Sequence, residues 1–88
     1  MIRNVFRPGS GERAGITCFL KEPGRVRLAI YSVSGRLVRM LVDSDEPAGT
    51  LTREWDGRND QDRYAAPGVY LLMGRAGGAS RTEKVVVR

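Results

Sequence analysis

Four aspartate and asparagine side chains crowd into seven positions of this chain: Asp56, Asn59, Asp60 and Asp62. Hard oxygen ligands on one loop suit Ca²⁺. Their spacing, however, lacks the regular alternation and distal glutamate of an EF-hand loop. The competing use of such residues is local, with Asx-turns in which side-chain oxygens accept backbone N–H groups and shape the loop. The sequence favours the second use, and no cofactor is expected.

Other chemistries fail on residue type. The chain contains no histidine, which removes Ser-His-Asp and Cys-His catalysis and every histidine-containing metal site. Cys18 is the only cysteine, so it can neither close an internal disulfide nor build a zinc or iron–sulfur cage. Between Thr17 and Phe19 it reads as a buried small hydrophobe. Carboxylate pairs occur on turns, where they do not make the rigid cleft a glycosidase needs. The glycine stretches lack the Gly-Lys-Ser/Thr ending of a phosphate-binding loop. An enzyme is not expected.

A formal charge of +5 rests on 15 basic against 10 acidic residues, with Lys21 and Lys84 the only lysines. The arginines alternate with apolar residues, as in Arg25-Val26-Arg27-Leu28, which suits the wet face of a half-buried strand. Binding to nucleic acid is therefore not expected. No apolar run is long enough to span a membrane, and no signal peptide is visible.

The elements that must position these residues are short strands. At 88 residues the chain makes one domain, spanning 1–88, with a modest core. Eleven glycines and four prolines punctuate the apolar runs. A first strand is expected within 2–8, stopped by Pro8. Ile16, Cys18 and Leu20 share one face of the next, which leaves Phe19 outward. Lys21-Glu-Pro-Gly24 reads as a turn with a positive φ at its glycine. From Arg25 to Val33 the clearest strand turns Val26, Leu28 and Ile30 one way and Arg27, Ala29 and Tyr31 the other. Ser32–Gly35 is a hairpin turn, and Leu37–Val42 returns antiparallel. That returning run is too apolar for strict alternation, so a central position or a bulge is expected. Asp43–Gly49 reads as an acidic loop.

Thr50–Trp55 follows as a strand with Leu51, Arg53 and Trp55 on one face. Arg53 must then reach past the sheet end or pair with a carboxylate. Trp55, followed by Asp56 and Gly57, anchors the fold, and Tyr70 anchors the far end of the polar loop. Val69–Met73 is apolar on both faces, Ala76–Ser80 turns the chain, and Arg81–Val87 closes it. About seven strands and no helix imply an all-β fold, an antiparallel β-sandwich. Phe19, Tyr31 and other outward apolar residues offer a binding patch or are scattered surface hydrophobes.

An ordered set of motifs carries a resemblance across nearly the whole chain. Asn4-Val-Phe-Arg-Pro8 is similar to an Asn-Pro-Phe-Asn-Pro opening. Gly24–Leu28 with Ile30–Arg39 resembles a strand–turn–strand of the same group. Ala48-Gly49, Trp55-Asp-Gly-Arg58, Pro67-Gly-Val-Tyr70 and Lys84-Val-Val-Val87 follow in order. Together they resemble the Ig-like domain related to the flagellar hook-capping protein, a pattern that recurs as the C-terminal sorting domain of type IX secretion cargo. Val5, Asp62 and Arg53 depart from that pattern, which favours proline, glycine and an apolar residue there.

The resemblance implies an Ig-like β-sandwich, the C-terminal module of a longer bacterial protein. It implies a non-catalytic role in sorting or cell-surface attachment, with protein partners in the secretion machinery. The location implied is extracellular or on the cell surface, after passage through the periplasm. The residues that carry over to sorting or interaction are Gly35, Pro67, Gly68, Val69, Tyr70, Lys84, Val85, Val86 and Val87. The alternative it leaves open is a structural assembly module contacting neighbouring subunits, as in hook capping. A carbohydrate-binding module ranks third, since only Phe19, Tyr31 and Tyr64 could supply an aromatic platform.

Overall fold

The computed structural model describes residues 5–88. Seven strands form in chain order: β1 (Val5–Phe6), β2 (Ala14–Leu20), β3 (Gly24–Ser32), β4 (Leu37–Glu46), β5 (Gly49–Trp55), β6 (Gly68–Ala76) and β7 (Ala79–Val87). They stack as an Ig-like sandwich with unequal layers. One sheet has five strands in the order β1-β7-β6-β3-β4, and the other pairs β2 with β5. Every pairing is antiparallel except β1 against β7, which is parallel, so the sandwich is not wholly antiparallel. Among the described residues no helix is long and apolar enough to cross a membrane.

Period-two alternation sends one side of each strand into the core. Val26, Leu28 and Ile30 of β3 meet Ile16 and Leu20 of β2, Leu51 of β5, Leu72 of β6 and Val85 and Val87 of β7. Trp55, at the end of β5, is completely buried. Its ring meets Phe6 edge-on at 5.4 Å and Tyr70 at 5.7 Å between centroids, an arrangement that adds to simple area burial.

Several expectations need correction. The first strand is observed as Val5–Phe6, while the expected residues 2–4, Asn4 of the opening motif among them, lie outside the described residues. Gly24 opens β3 and is absent from the glycines of positive φ, because Lys21–Pro23 carry the chain from one sheet to the other rather than closing a hairpin. Leu37–Val42 belongs to an edge strand, not a central one. The bulge alternative is the one realised, since the β3–β4 register slips at Leu28/Ala29 and at Ile30/Tyr31. Asp43–Glu46 is strand rather than loop. Its two aspartates face arginines across the ladder, Asp43 opposite Arg27 and Asp45 opposite Arg25, and opposite charges directly across a pair stabilise it. Cys18 is half-buried and packs on the rim of the core. Arg53 reaches Glu46 at 3.5 Å, so the carboxylate-pairing alternative holds for it.

Candidate functional site

The polar loop between β5 and β6 folds on itself before it does anything else. Asp56 accepts the N–H of Arg58 at 3.0 Å, and Asn59 Oδ1 accepts those of Gln61 and Arg63 at 2.9 and 3.1 Å. Those bonds are Asx-turn geometry. Asp62 adopts φ 63°, the left-handed region that aspartate tolerates better than most residues. Its carboxylate accepts from Arg58 at 3.1 Å. Arg58 also lies over the Tyr64 ring, 4.7 Å from its centroid. The hydrogen bond to Tyr64, then the one to Asp62, raises the Arg58 pKa above its already high ordinary value, so the group stays charged.

The remaining oxygen of the quartet works outward. Asp60 donates its N–H to the Val38 carbonyl at 2.9 Å, and its Oδ1 accepts the Met40 N–H at 3.3 Å. Arg39 donates to the Asn59 carbonyl at 3.0 Å. The loop is thus clamped to β4 where the bulges interrupt its ladder. Asp56, Asn59, Asp60 and Asp62 point their oxygens at backbone and arginine, and among the described residues no three His, Cys, Asp or Glu side chains are placed to share a metal ion.

The anchors hold this loop against the core. Trp55 donates its indole N–H to the Arg58 carbonyl at 2.9 Å. Gly57 is buried at φ 85°, and a β-carbon there would overlap the Pro8 ring. Tyr70 donates its hydroxyl to the Ala66 carbonyl at 2.6 Å, tying the loop exit to the strand that follows. Between this loop and the β3–β4 turn opens a largely polar cleft of about 570 Å³, lined by Ser32, Ser34, Arg36, Asn59 and Tyr64 among others.

The residues singled out for interaction converge near that end. Gly68, Val69, Tyr70 and Leu71 lie directly opposite Val87, Val86, Val85 and Lys84. Two motifs separated along the chain are therefore one antiparallel pair. Gly35 sits in the β3–β4 turn at φ 91°, donating its N–H to Ser32 at 3.0 Å. The set divides by burial: Val85 and Val87 are core, and Tyr70 is half-buried against Trp55. Pro67, Gly68, Val69 and Lys84 are exposed, with Val86 half-buried.

The three aromatic candidates for a sugar platform do not meet. Phe19 projects from β2, Tyr31 lies on the outer face of β3, and Tyr64 is stacked under Arg58 in the loop. A separate apolar groove of about 480 Å³ runs beside β2, lined by Ile16, Cys18, Phe19, Leu28, Leu72 and Ala76. Sequence reasoning missed Arg58 and Arg75 as surface features. The clue for Arg58 was an arginine six residues before Tyr64 across a turn.

Comparison with known proteins places the fold. The FlgD Ig-like domain profile matches residues 4–74, and the chain belongs to that family. FlgD from P. aeruginosa superposes with a TM-score of 0.65 at 18% identity, covering 88% of this chain and 62% of that one. FlgD from Xanthomonas campestris, described in connection with hook capping essential for flagellar assembly, gives 0.62 at 23% identity, covering 84% of this chain and 54% of that one. PorZ, an essential bacterial surface component of the type IX secretion system of Porphyromonas gingivalis, gives 0.65 at 18% identity, covering 98% of this chain but 11% of that one. The chain thus spans between 54% and 62% of the length of the two FlgD proteins. No curated protein matches it.

Proposed function

We propose that this FlgD-type Ig-like domain is a non-catalytic C-terminal sorting and cell-surface attachment module of a secreted bacterial protein, read by a type IX-like secretion apparatus. The observation that carries this reading is the pairing of Gly68–Leu71, directly after Pro67, with Lys84–Val87. Two motifs become one contiguous strand pair that exposes Val69 and Lys84 while burying Val85 and Val87 as its foundation. The likeness to a surface component of a type IX system supports it at the level of fold. The test is a fusion of residues 1–88 to a periplasmic reporter in a host with type IX secretion. Delivery of the reporter to the cell surface is expected, and its retention in the periplasm would refute the sorting role.

A second reading, structural assembly against neighbouring subunits, is favoured by the groove beside β2. The layer of β2 and β5 has two strands against five, so a strand from a neighbour has room to extend it. An alternating apolar peptide added in excess then protects β2 amides from hydrogen exchange. Unchanged protection at saturating peptide sinks the assembly reading.

A further inference from the structure

The outer face of the five-stranded sheet is more apolar than a water-facing sheet requires. Antiparallel sheets with one wet face usually alternate polar outward and apolar inward. Here β6 sends Leu72 into the core but turns Val69, Leu71 and Met73 out, and Val69 and Met73 remain 42% and 45% exposed. The register aligns these with outward apolar residues on the neighbouring strands. Met73 faces Ala29, which faces Met40, and Leu71 faces Tyr31. On the far side Val69 faces Val86. Ala29 is itself buried, and the others lie outside the core cluster. A depression of about 250 Å³ opens in this face beside Ala29, Tyr31, Met73 and Arg75.

Charge gives the face a sign. Arg27 and Arg75 stand directly opposite one another on β3 and β6, a like-charge placement that costs stability. The nearby Asp43 is held by Arg25 at 2.9 Å and lies 3.9 Å from Arg27. Arg75, and Lys84 opposite Leu71, make no ion pair among the described residues. An apolar centre therefore carries uncompensated cations on its border. A second copy of the same face would bring those cations against themselves, in a chain that already carries +5.

We propose that this outer face docks an acidic protein partner, whose apolar patch sits on Tyr31, Leu71 and Met73 and whose flanking carboxylates pair with Arg27, Arg75 and Lys84. The proposal rests on the reading that the domain acts by holding another protein, and it names the surface and the chemistry of that partner. Apolar centres with charged rims are the usual anatomy of such contacts, and the rim sets partner choice and encounter rate.

The test places a photoreactive amino acid at position 73 of the full chain, with a control at the exposed Thr52 on the other layer. Cells that make the protein naturally are irradiated. Adducts are expected at position 73 and not at 52. Mass spectrometry should place them in a segment where Asp or Glu flanks apolar residues. Arg75→Glu combined with Lys84→Glu should lower the yield at least about tenfold, while the melting temperature confirms that the variant is folded. Met73→Lys, carried with the probe moved to position 71, should do the same from the apolar side.

Equal adducts at 73 and 52, or a yield indifferent to charge reversal, overturn the proposal. So does an adduct of twice the chain mass, which makes the occupant a second copy. Sedimentation with vesicles containing phosphatidylglycerol, without any protein adduct, overturns it in favour of a membrane surface. Export of the reporter fusion is scored separately. Lost export with intact adducts sinks the sorting reading alone, and intact export with unspecific adducts sinks the docking face alone.

Discussion

Replacing Gly57 by alanine tests whether the loop end is locked by shape. Gly57 is buried at φ 85°, and the added methyl would run into the Pro8 ring, with Phe6 Cε2 3.5 Å away. Two costs combine. A residue with a β-carbon in the left-handed region costs about 1–2 kcal/mol. Forcing a methyl against a ring that cannot rotate aside costs about 1–3 kcal/mol more. The sum, about 2–5 kcal/mol, is a large share of the roughly 5–15 kcal/mol that holds a small domain folded. For this size a loss of that order lowers the melting temperature by about 8–40 °C. Gly35→Ala is the control, because Gly35 has φ 91° but nothing within 4 Å of the new methyl. It should show the backbone cost alone, about 1–2 kcal/mol. Urea denaturation of both variants, followed by far-ultraviolet dichroism, measures the difference. Equal losses at the two positions would show that Pro8 does not brace Gly57, and would refute the assignment of that end as rigid.

Trp55→Ala removes a fully buried ring and its hydrogen bond to the Arg58 carbonyl, and should cost about 3–5 kcal/mol by chemical denaturation. A near-neutral result would remove Trp55 from the centre of the core. Calcium at about a hundred times a millimolar dissociation constant would stabilise a true site by about 2.7 kcal/mol. Because the oxygens of Asp56, Asn59, Asp60 and Asp62 are already engaged with N–H groups and arginines, the melting temperature should not move. A rise of several degrees on titration contradicts the Asx-turn assignment.

Much of the fold was legible because one strand carries its own pattern. Val26, Leu28 and Ile30 against Arg27, Ala29 and Tyr31 predicted β3, and Gly35 predicted the turn into β4. What stayed hidden depends on two strands at once. Asp43-Ser-Asp-Glu46 looks like a loop alone, and becomes strand because Arg25 and Arg27 lie across from it. The split into five and two strands, and the parallel β1, are likewise properties of pairing rather than of any single run. The site followed the same division. Its loop chemistry was readable from Asx residues at short spacing. The Asp60 clamp on Val38 and Met40, reaching 20 residues back in the case of Met40, was not.

The docking proposal gains from the way the large sheet treats its own edge. An open edge invites strand addition, and proteins blunt it with bulges, charges or a covering loop. β4 has all three: two register slips, Asp43 and Asp45 on its exposed positions, and the loop bonded to Val38 and Met40. An edge so guarded is a poor place for a partner to extend the sheet. The face beside it is the reverse case, since Leu71 and Met73 fall on the phase where alternation calls for polar residues. Substituting them by polar residues should cost the isolated domain little, because neither belongs to the core. Leu71→Thr with Met73→Thr should therefore stay within about 1 kcal/mol of the parent in urea while losing the position-specific adducts, with the probe moved to position 69. If the double variant instead unfolds, these side chains serve the fold, and the apolar face needs no partner to explain it.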